Sequence, residues 1–221
     1  MIDFHIHSYF SDGDQTPEEI LRIAERRKLS AIAITDHCDI SGRFMYLPSV
    51  SEPRPLREYI DEIRNLPPNE PVKVFTGLEI CDFSKSAEYP PEFAELDFLL
   101  IETFPAQTPL YKTFNPVAEA IKLKKKFSFP IGLAHPTLQD IEQNIEQLVQ
   151  NNIFIELNVD KLLAHSKVKE ILQRIAELLH SNSKIQISIG SDAHIIFVIG
   201  AVKPIWDFIV ANDFLDRLIL I

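Results

Sequence analysis

The chain has 221 residues, a formal net charge of −10 at pH 7, 46% hydrophobic residues and 24% charged residues. This composition excludes a disordered or collagen-like chain and predicts one globular domain over residues 1–221. The negative charge argues against a general nucleic-acid-binding surface, since contacts to a phosphate backbone need clustered Lys and Arg. A nucleic acid would fit only as a short or single-stranded substrate, with metal ions supplying the positive charge.

No apolar run reaches the length of a membrane span, and the first residues lack the basic and apolar parts of a signal segment. The sequence therefore predicts a soluble cytoplasmic protein without a membrane partner, and it indicates no oligomeric state. Cys38 and Cys81 are too few for a disulfide framework and lack the spacing of a structural zinc site. Cys81 follows Glu79 by two residues and could line a site there, although a small buried thiol is the alternative.

Short apolar runs alternate with amphipathic stretches along the chain, which predicts βα units and a parallel sheet. Strands are expected at 2–7, 31–35, 72–80, 96–103, 130–134, 153–158 and 184–190. Helices are expected from 16 onward and at 56–66, 115–126, 139–150, 167–180 and 204–211. Thr16 followed by Pro17 and Glu19 has the pattern of a capping box. The longest connections follow strands two, three and four, at the edge where barrel enzymes build their sites.

The first strand carries two histidines, His5 and His7. Alternate side chains of a strand face the same way, so both imidazoles could bind one metal ion. Zinc-type ions usually need at least three protein ligands. The missing ligands must therefore come from later parts of the chain.

Polar residues that can bind metals cluster at the predicted carboxyl ends of the strands. Five of the seven histidines and three acids lie there: His5, His7, His37, His135, His194, Asp12, Glu79 and Asp192. Each one alone could be a satisfied structural residue or a turn residue. Burying all eight at one edge without cations would be costly, so the set predicts a metal site.

Six short motifs follow one another along the chain: His5-Ile6-His7, Ser11-Asp12-Gly13, Thr35-Asp36-His37, Gly77-Leu78-Glu79, Leu133-Ala134-His135-Pro136 and Gly190-Ser191-Asp192-Ala193-His194. In this order they resemble the motifs of the PHP (polymerase and histidinol phosphatase) domain family. The resemblance implies an α/β fold, a distorted TIM-like (β/α)7 barrel. It also implies two or three divalent ions, Zn, Mn or Fe, at the carboxyl face.

The resemblance further implies how the ions are held. One ion would be bound by His5, His7, Glu79 and Asp192, with Glu79 bridging to a second ion at His135 and a third ion at Asp12, His37 and His194. The family commonly has one more histidine at the end of strand four, where this chain has Leu100-Ile101-Glu102-Thr103-Phe104. Glu102 could substitute as an oxygen ligand; otherwise the second ion would be loosely held or absent.

These features favour a metal-dependent phosphoesterase that hydrolyses a small phosphomonoester or a nucleotide phosphate. An ion cluster lowers the pKa of a bound water and supplies hydroxide near neutral pH, so no separate protein nucleophile is assigned. Arg43, in the loop after His37, is the first candidate for binding the substrate phosphate, ahead of Lys161 and Arg54. The alternative for each is a solvated surface charge.

Two other functions stay open. Amidohydrolase barrels also begin with His-x-His, so the chain could hydrolyse an amide or another non-phosphate bond, although no lysine that would bridge metals is evident. The absent strand-four histidine leaves room for a catalytically weakened PHP-like scaffold or regulatory protein. Glu156, inside the sixth predicted strand, could face the barrel interior or be a structural acid.

Overall fold

A computed structural model describes residues 1–45, 54–67, 71–83, 89–103 and 114–219. The strands are β1 (Ile2–Ile6), β2 (Ala31–Ile34), β3 (His37–Asp39), β4 (Lys73–Asp82), β5 (Phe98–Glu102), β6 (Ile131–Ala134), β7 (Phe154–Asn158) and β8 (Ile187–Gly190). The helices are α1 (Pro17–Arg26), α2 (Leu56–Arg64), α3 (Pro116–Lys124), α4 (Leu138–Asn151), α5 (Val159–Leu163), α6 (Val168–Ser181) and α7 (Lys203–Ala211). Short 3-10 helices span Pro91–Glu95 and Leu215–Arg217.

The strands pair in parallel in the order β1-β2-β4-β5-β6-β7-β8, and the short β3 pairs with β4 beside this path. The two outer strands meet through a parallel bridge between Ile6 and Ala193, where the His7 amide donates to the Ala193 carbonyl at 2.9 Å. Seven described strands thus form a nearly closed barrel. The predicted α/β barrel is confirmed.

Helix starts follow the predicted capping chemistry. The Thr16 side chain accepts from the Glu19 amide and the Glu19 carboxylate accepts in return, so α1 begins with a capping box. Asn115 caps α3 with its side chain alone, which accepts from the Ala118 amide. These local bonds set where the helices begin after each loop.

An aromatic layer fills the barrel below its carboxyl edge. The rings of Phe4 and Phe154 lie 6.2 and 6.1 Å from the ring of Phe98, and all three are buried. Phe154 precedes Glu156 by two residues on β7, so both side chains share a face. Gly132 makes this layer possible, because a Cβ there would overlap the Phe154 ring. The polar site above therefore rests on a packed apolar floor.

Two elements were missing from the predicted pattern. Residues 37–39 form β3 inside the connection that was expected to be a loop, and residues 159–163 form α5 ahead of the helix expected at 167. The seventh predicted strand starts three residues later than expected, at Ile187. The rest of the long loop, 46–53, lies outside the described residues, as do 220–221 of the apolar end. Among the described helices, none is long and apolar enough to cross a membrane.

Candidate metal centre

The structure brings all eight predicted ligands to the carboxyl edge of the barrel. They lie in β1, β3 and β4 or in the segments after β1, β6 and β8: His5, His7, Asp12, His37, Glu79, His135, Asp192 and His194. His5, His7 and Glu79 are fully buried, and the other five are partly exposed. Residues far apart in sequence therefore form one cluster.

Four donor atoms converge at the centre of this cluster: His5 Nε2, His7 Nε2, Glu79 Oε2 and Asp192 Oδ1. Five of the separations between them lie between 3.0 and 3.6 Å. The ligand atoms of a tetrahedral zinc ion, with bonds of about 2.0–2.2 Å, lie about 3.3–3.6 Å apart. These five separations fit a small divalent cation, and one ligand atom from each of His5, His7 and Asp192 lies within 4.8 Å of the others.

The chemistry of the donors also calls for a cation. His5 Nδ1 lies 2.8 Å from Glu156 Oε1, where a carboxylate oxygen accepts a hydrogen bond from the ring N–H. This bond puts the proton of a neutral His5 on Nδ1, so its Nε2 lone pair faces the Glu79 carboxylate at 3.1 Å. Two acceptors at this distance repel each other unless a metal ion or an extra proton lies between them. Among the described residues, the buried His7 Nδ1 also has no hydrogen-bond partner.

The pKa shifts of the cluster also indicate that its carboxylates need positive charge nearby. Burial alone would lower the pKa of His5, but Glu156, Glu79 and Asp192 outweigh it and raise that pKa well above its ordinary value. Burial would raise the pKa of Asp192, yet the neighbouring His5 and His7 hold it far below its usual range. Asp12, beside His194, has its pKa lowered to about 2 despite its partial burial. The carboxylates of the centre therefore stay ionised.

Gly190 allows His5 and Glu156 to meet. A Cβ at this position would overlap both the Glu156 carboxylate and the His5 Cβ. Glu156 also accepts from the His135 amide at 2.7 Å through its second oxygen. Of the two sequence interpretations of Glu156, the structure supports an interior position, where the carboxylate orients His5 and the chain at His135.

Glu79 occupies the middle of the cluster. Its Oε2 lies 3.0 Å from His37 Nδ1 as well as close to His5 and His7, and its Oε1 lies 3.1 Å from His135 Nε2. A carboxylate with imidazoles on both oxygens has the arrangement of a ligand that bridges two ions. The bridging role of Glu79 stays a prediction that this geometry supports.

A second group of ligand atoms surrounds Asp12. Its Oδ2 lies 3.2 Å from His194 Nε2 and 3.8 Å from His37 Nε2, and its Oδ1 lies 3.6 Å from His7 Nδ1. One ligand atom from each of these four residues falls within 4.8 Å of the others. The group predicted for the third ion is thus together, with His7 beside it as an additional neighbour.

Glu102 lies near different partners than expected. Its carboxylate, the Cys81 thiol and a nitrogen of His37 lie within 4.8 Å of one another. Burial and the negative charge of Glu79 raise the pKa of Glu102 to about 7. Sequence analysis gave Cys81 no firm role, although its spacing from Glu79 on β4 places both side chains on one face. The replacement of the strand-four histidine by Glu102 stays a prediction.

The three basic candidates have different surroundings. Lys161 Nζ lies 2.9 Å from Asp192 Oδ2, at the rim of the centre. Arg43 pairs with Asp39 at 3.0 Å and is about half exposed, while Arg54 lies over the Tyr9 ring. Phosphate binding by Arg43 stays a prediction. Of these three candidates, Lys161 is the one that contacts a predicted ligand.

Two buried aspartates fix the loops that carry the ligands, and sequence analysis missed both roles. Asp36 accepts from the amides and hydroxyls of Ser8 and Ser11 at 2.6–3.1 Å. Asp3 accepts from the amide and hydroxyl of Ser191 at 2.9 and 2.7 Å. The adjacent serines in the Ser11-Asp12 and Ser191-Asp192 motifs were the available signal.

A parallel barrel with imidazole and carboxylate ligands grouped at its carboxyl edge has the architecture of barrel hydrolases that use metal ions. The family comparison is more specific: the sequence profile of the PHP domain matches residues 3–195. The chain belongs to the PHP domain family, as its ordered motifs predicted.

Two relatives match over much of the chain. An uncharacterized protein of Methanocaldococcus jannaschii is 31% identical over 163 residues, which are 70% of this chain and 66% of that protein. The chain therefore spans just under two thirds of this archaeal relative. A "Probable phosphatase" of Acetivibrio thermocellus is 25% identical over 228 residues, covering 100% of this chain and 90% of that protein.

Two solved structures share the fold. One, from Bacteroides vulgatus, is a "two-domain protein containing predicted PHP-like metal-dependent phosphoesterase", with a TM-score of 0.50, 20% identity, and coverage of 89% of this chain and 52% of that chain. The other is the "putative histidinol phosphatase" of Listeria monocytogenes, with a TM-score of 0.54, 13% identity, and coverage of 93% and 100%. At these identities the likeness concerns the fold.

Proposed function

We propose that this PHP protein is a phosphoesterase that hydrolyses a small phosphomonoester or a nucleotide phosphate at the carboxyl edge of its barrel. The observation that carries the proposal is the convergence of His5 Nε2, His7 Nε2, Glu79 Oε2 and Asp192 Oδ1 at the spacing of a metal site. Membership of the PHP family and the phosphatase name of a full-length relative support it.

The ligand groups suggest two or three divalent ions, with Zn, Mn and Fe as the candidates. Such ions would lower the pKa of a bound water and neutralise the charge of the phosphate. The protein supplies the frame: Glu156 holds the His5 ring, and Glu79 joins the groups around His37 and His135. We propose Lys161 as a phosphate-binding residue, because its ammonium already lies at the rim, and Arg43 as a second one if its loop approaches the substrate.

The nearby hydroxyl and thiol groups favour hydrolysis by water. The hydroxyls of Ser8 and Ser11 both donate to Asp36, and that of Ser191 donates to Asp3. Burial raises the pKa of the Cys81 thiol, which keeps it protonated near neutral pH. These groups are structural donors or poor nucleophiles, in accord with a mechanism that assigns no protein nucleophile. Both cysteines are free, which suits the cytoplasmic location that we propose.

Metal analysis together with a phosphatase assay tests the proposal. Purified protein is loaded with Mn²⁺ or Zn²⁺, its bound metal is counted, and hydrolysis of an aryl phosphate is measured alongside hydrolysis of an aryl amide. We expect at least one equivalent of metal and hydrolysis of the phosphate. Glu79→Gln should lose both metal and activity while its circular dichroism stays native. Less than one equivalent in the wild type, with no phosphate hydrolysis, would contradict the proposal.

A further inference from the structure

Three neighbouring strands, β3, β4 and β5, each present one metal-binding side chain beside the centre. The register that pairs Ile80 with Ile101 puts the next residues of β4 and β5, Cys81 and Glu102, side by side. On the other edge of β4, His37 pairs with the residue two before Cys81, so both side chains face the same way. One ligand atom from each of the three lies within 4.8 Å of the others. We call these three residues the cysteine group.

Of the ligand groups in the described part of the chain, the cysteine group alone contains sulfur. The Cys81 thiol is buried, and its sulfur lies 3.6 Å from the Cys38 carbonyl oxygen, which accepts the thiol hydrogen. Since the hydrogen is turned toward that carbonyl, the sulfur lone pairs are left for the space that Cys81 shares with His37 and Glu102. Such lone pairs suit a soft or borderline cation.

The Glu102 carboxylate in this group also calls for a positive neighbour. Burial and the nearby charge of Glu79 raise the pKa of Glu102 to about 7. Both effects act against the ionised carboxylate, because it loses water and faces a like charge. A cation bound between Glu102 and Cys81 would offset both effects.

The donor types of the cysteine group indicate which ions fit it. A thiolate and an imidazole favour zinc and similar ions, whereas magnesium and manganese prefer oxygen ligands and water. Ligand atoms around zinc lie about 3.3–3.6 Å apart, so the group would contract by at most about 1.5 Å on binding. The bound cation replaces the thiol proton, so the pKa of Cys81, which burial raises, does not prevent binding.

We infer that Cys81, His37 and Glu102 bind one divalent ion of the zinc class, at a position separate from the four donor atoms at the centre of the cluster. Three protein ligands leave a further position on this ion for water. A neutral imidazole has one free lone pair, so His37 bound to this ion is not also a ligand of the ion beside Asp12. The inference goes beyond the proposed hydrolysis, because metal binding here does not require a phosphate ester.

Cobalt reports a cysteine ligand directly. Metal-free protein is prepared with a chelator under reducing conditions and titrated with Co²⁺, and the near-ultraviolet absorption from thiolate-to-cobalt charge transfer is recorded. We expect this band in the wild type, because thiolate and imidazole ligands suit Co²⁺ as they suit zinc. Added Zn²⁺ should remove the band, and the same excess of Mg²⁺ should leave it. A band that Mg²⁺ removes as well as Zn²⁺ does would overturn the inference.

Two cysteine variants identify the sulfur. Cys81→Ala should lose the band, whereas Cys38→Ala should keep it, because Cys38 follows His37 directly on β3 and faces the other side of the strand. Circular dichroism would check that both variants fold, and Cys81→Ser takes the place of Cys81→Ala if the alanine variant does not. Loss of the band in Cys38→Ala, with retention in the Cys81 variant, would overturn the inference.

Glu102→Gln tests the oxygen ligand. The variant should need roughly tenfold or more Co²⁺ to reach half of the full band, since even the partners behind a metal ligand contribute that much to affinity. Glu146→Gln, on the exposed face of α4, is the matched control and should titrate as the wild type does. Equal titrations of the two variants would exclude Glu102 as a ligand and overturn the three-residue site.

The results separate this inference from the proposed phosphoesterase function. A wild type that binds Co²⁺ and hydrolyses a phosphomonoester, but shows no thiolate band, would reject the cysteine group and leave the proposed function standing. A wild type that shows the band, but hydrolyses no phosphomonoester with any ion, would support the cysteine group and reject the proposed function. A wild type that binds no Co²⁺ would reject both.

Discussion

Glu156 is a buried carboxylate that positions a predicted metal ligand, His5, and was not itself predicted as a ligand. Its Oε1 holds His5 Nδ1 at 2.8 Å, which leaves His5 Nε2 to face the centre. Partners of this kind orient ligating histidines and raise their basicity. The residue would therefore act on a bound metal through the ring that it positions.

We expect Glu156→Gln to weaken metal binding by about 10–100-fold, the usual effect of losing such a partner. The amide no longer stabilises an Nδ1 proton as a carboxylate does, so the His5 ring is held less firmly. Competition with a chromophoric chelator would measure the affinity, and circular dichroism would check the fold. Glu146→Gln, on the exposed face of α4, is the matched control. Unchanged affinity in Glu156→Gln would contradict the positioning role.

The hydrogen bonds of Ser8 and Ser11 to Asp36 link one element of the fold to another. Asp36, just after β2, anchors the loop that follows β1 through the amides and hydroxyls of Ser8 and Ser11. That loop carries Asp12, which lies beside His194. The end of β2 thus fixes the position of a predicted ligand that β2 does not itself contain.

Asp36→Ala should destabilise the fold by about 3 kcal/mol, because it leaves buried amides and hydroxyls without their acceptor. Urea unfolding would measure the loss. We also expect fewer equivalents of metal in this variant, since Asp12 loses its support. Asp14→Ala removes an exposed carboxylate in the same loop and should leave both measurements near the wild type. Equal stability of the two variants would refute the anchoring role.

The sequence allowed most elements to be predicted because their signals are local. Amphipathic periodicity and the Thr16 cap located the helices, and buried apolar runs located the strands. Strand β3 was not predicted, because it spans only residues 37–39 and is stabilised by pairing with β4. Helix α5 was not predicted either, because it has only five residues and follows β7 directly. Asn158 is both the last residue of β7 and the N-cap of α5.

The candidate ligands could be chosen from the sequence as residue types at strand ends, whereas their grouping in space depends on the barrel. Strand ends and family motifs identified His5 and Glu79, but spacing in sequence could not bring Cys81 and His37 near Glu102. Nor could it reveal that Lys161, in a helix that was not predicted, lies against Asp192. Such contacts depend on the register and curvature of the sheet, which no local signal contains.

At the scale of the whole molecule, the centre joins parts of the barrel that are distant in sequence. Its predicted ligands come from β1, β3 and β4 and from the segments after β1, β6 and β8. Near these residues, the parallel bridge between Ile6 and Ala193 joins the two ends of the sheet. An ion bound by these ligands would therefore link both sides of the closure and stabilise the folded chain relative to the unfolded one.

We expect metal removal by a chelator to lower Tm by roughly 5–10 °C, since one site filled at 100 times its Kd adds about 2.7 kcal/mol. The effect should be smaller at pH 5.5 than at pH 7.5, because protons compete with the metal for histidines such as His5, whose pKa its carboxylate neighbours raise well above the ordinary value. Differential scanning calorimetry at pH 5.5 and 7.5, with and without metal, would measure both effects. His5→Ala should lose most of the metal-dependent difference, whereas His180→Ala, on the exposed end of α6, should keep it. A wild-type Tm that is the same with and without metal at pH 7.5 would show that the ligands do not bind the ion as one centre across the closure.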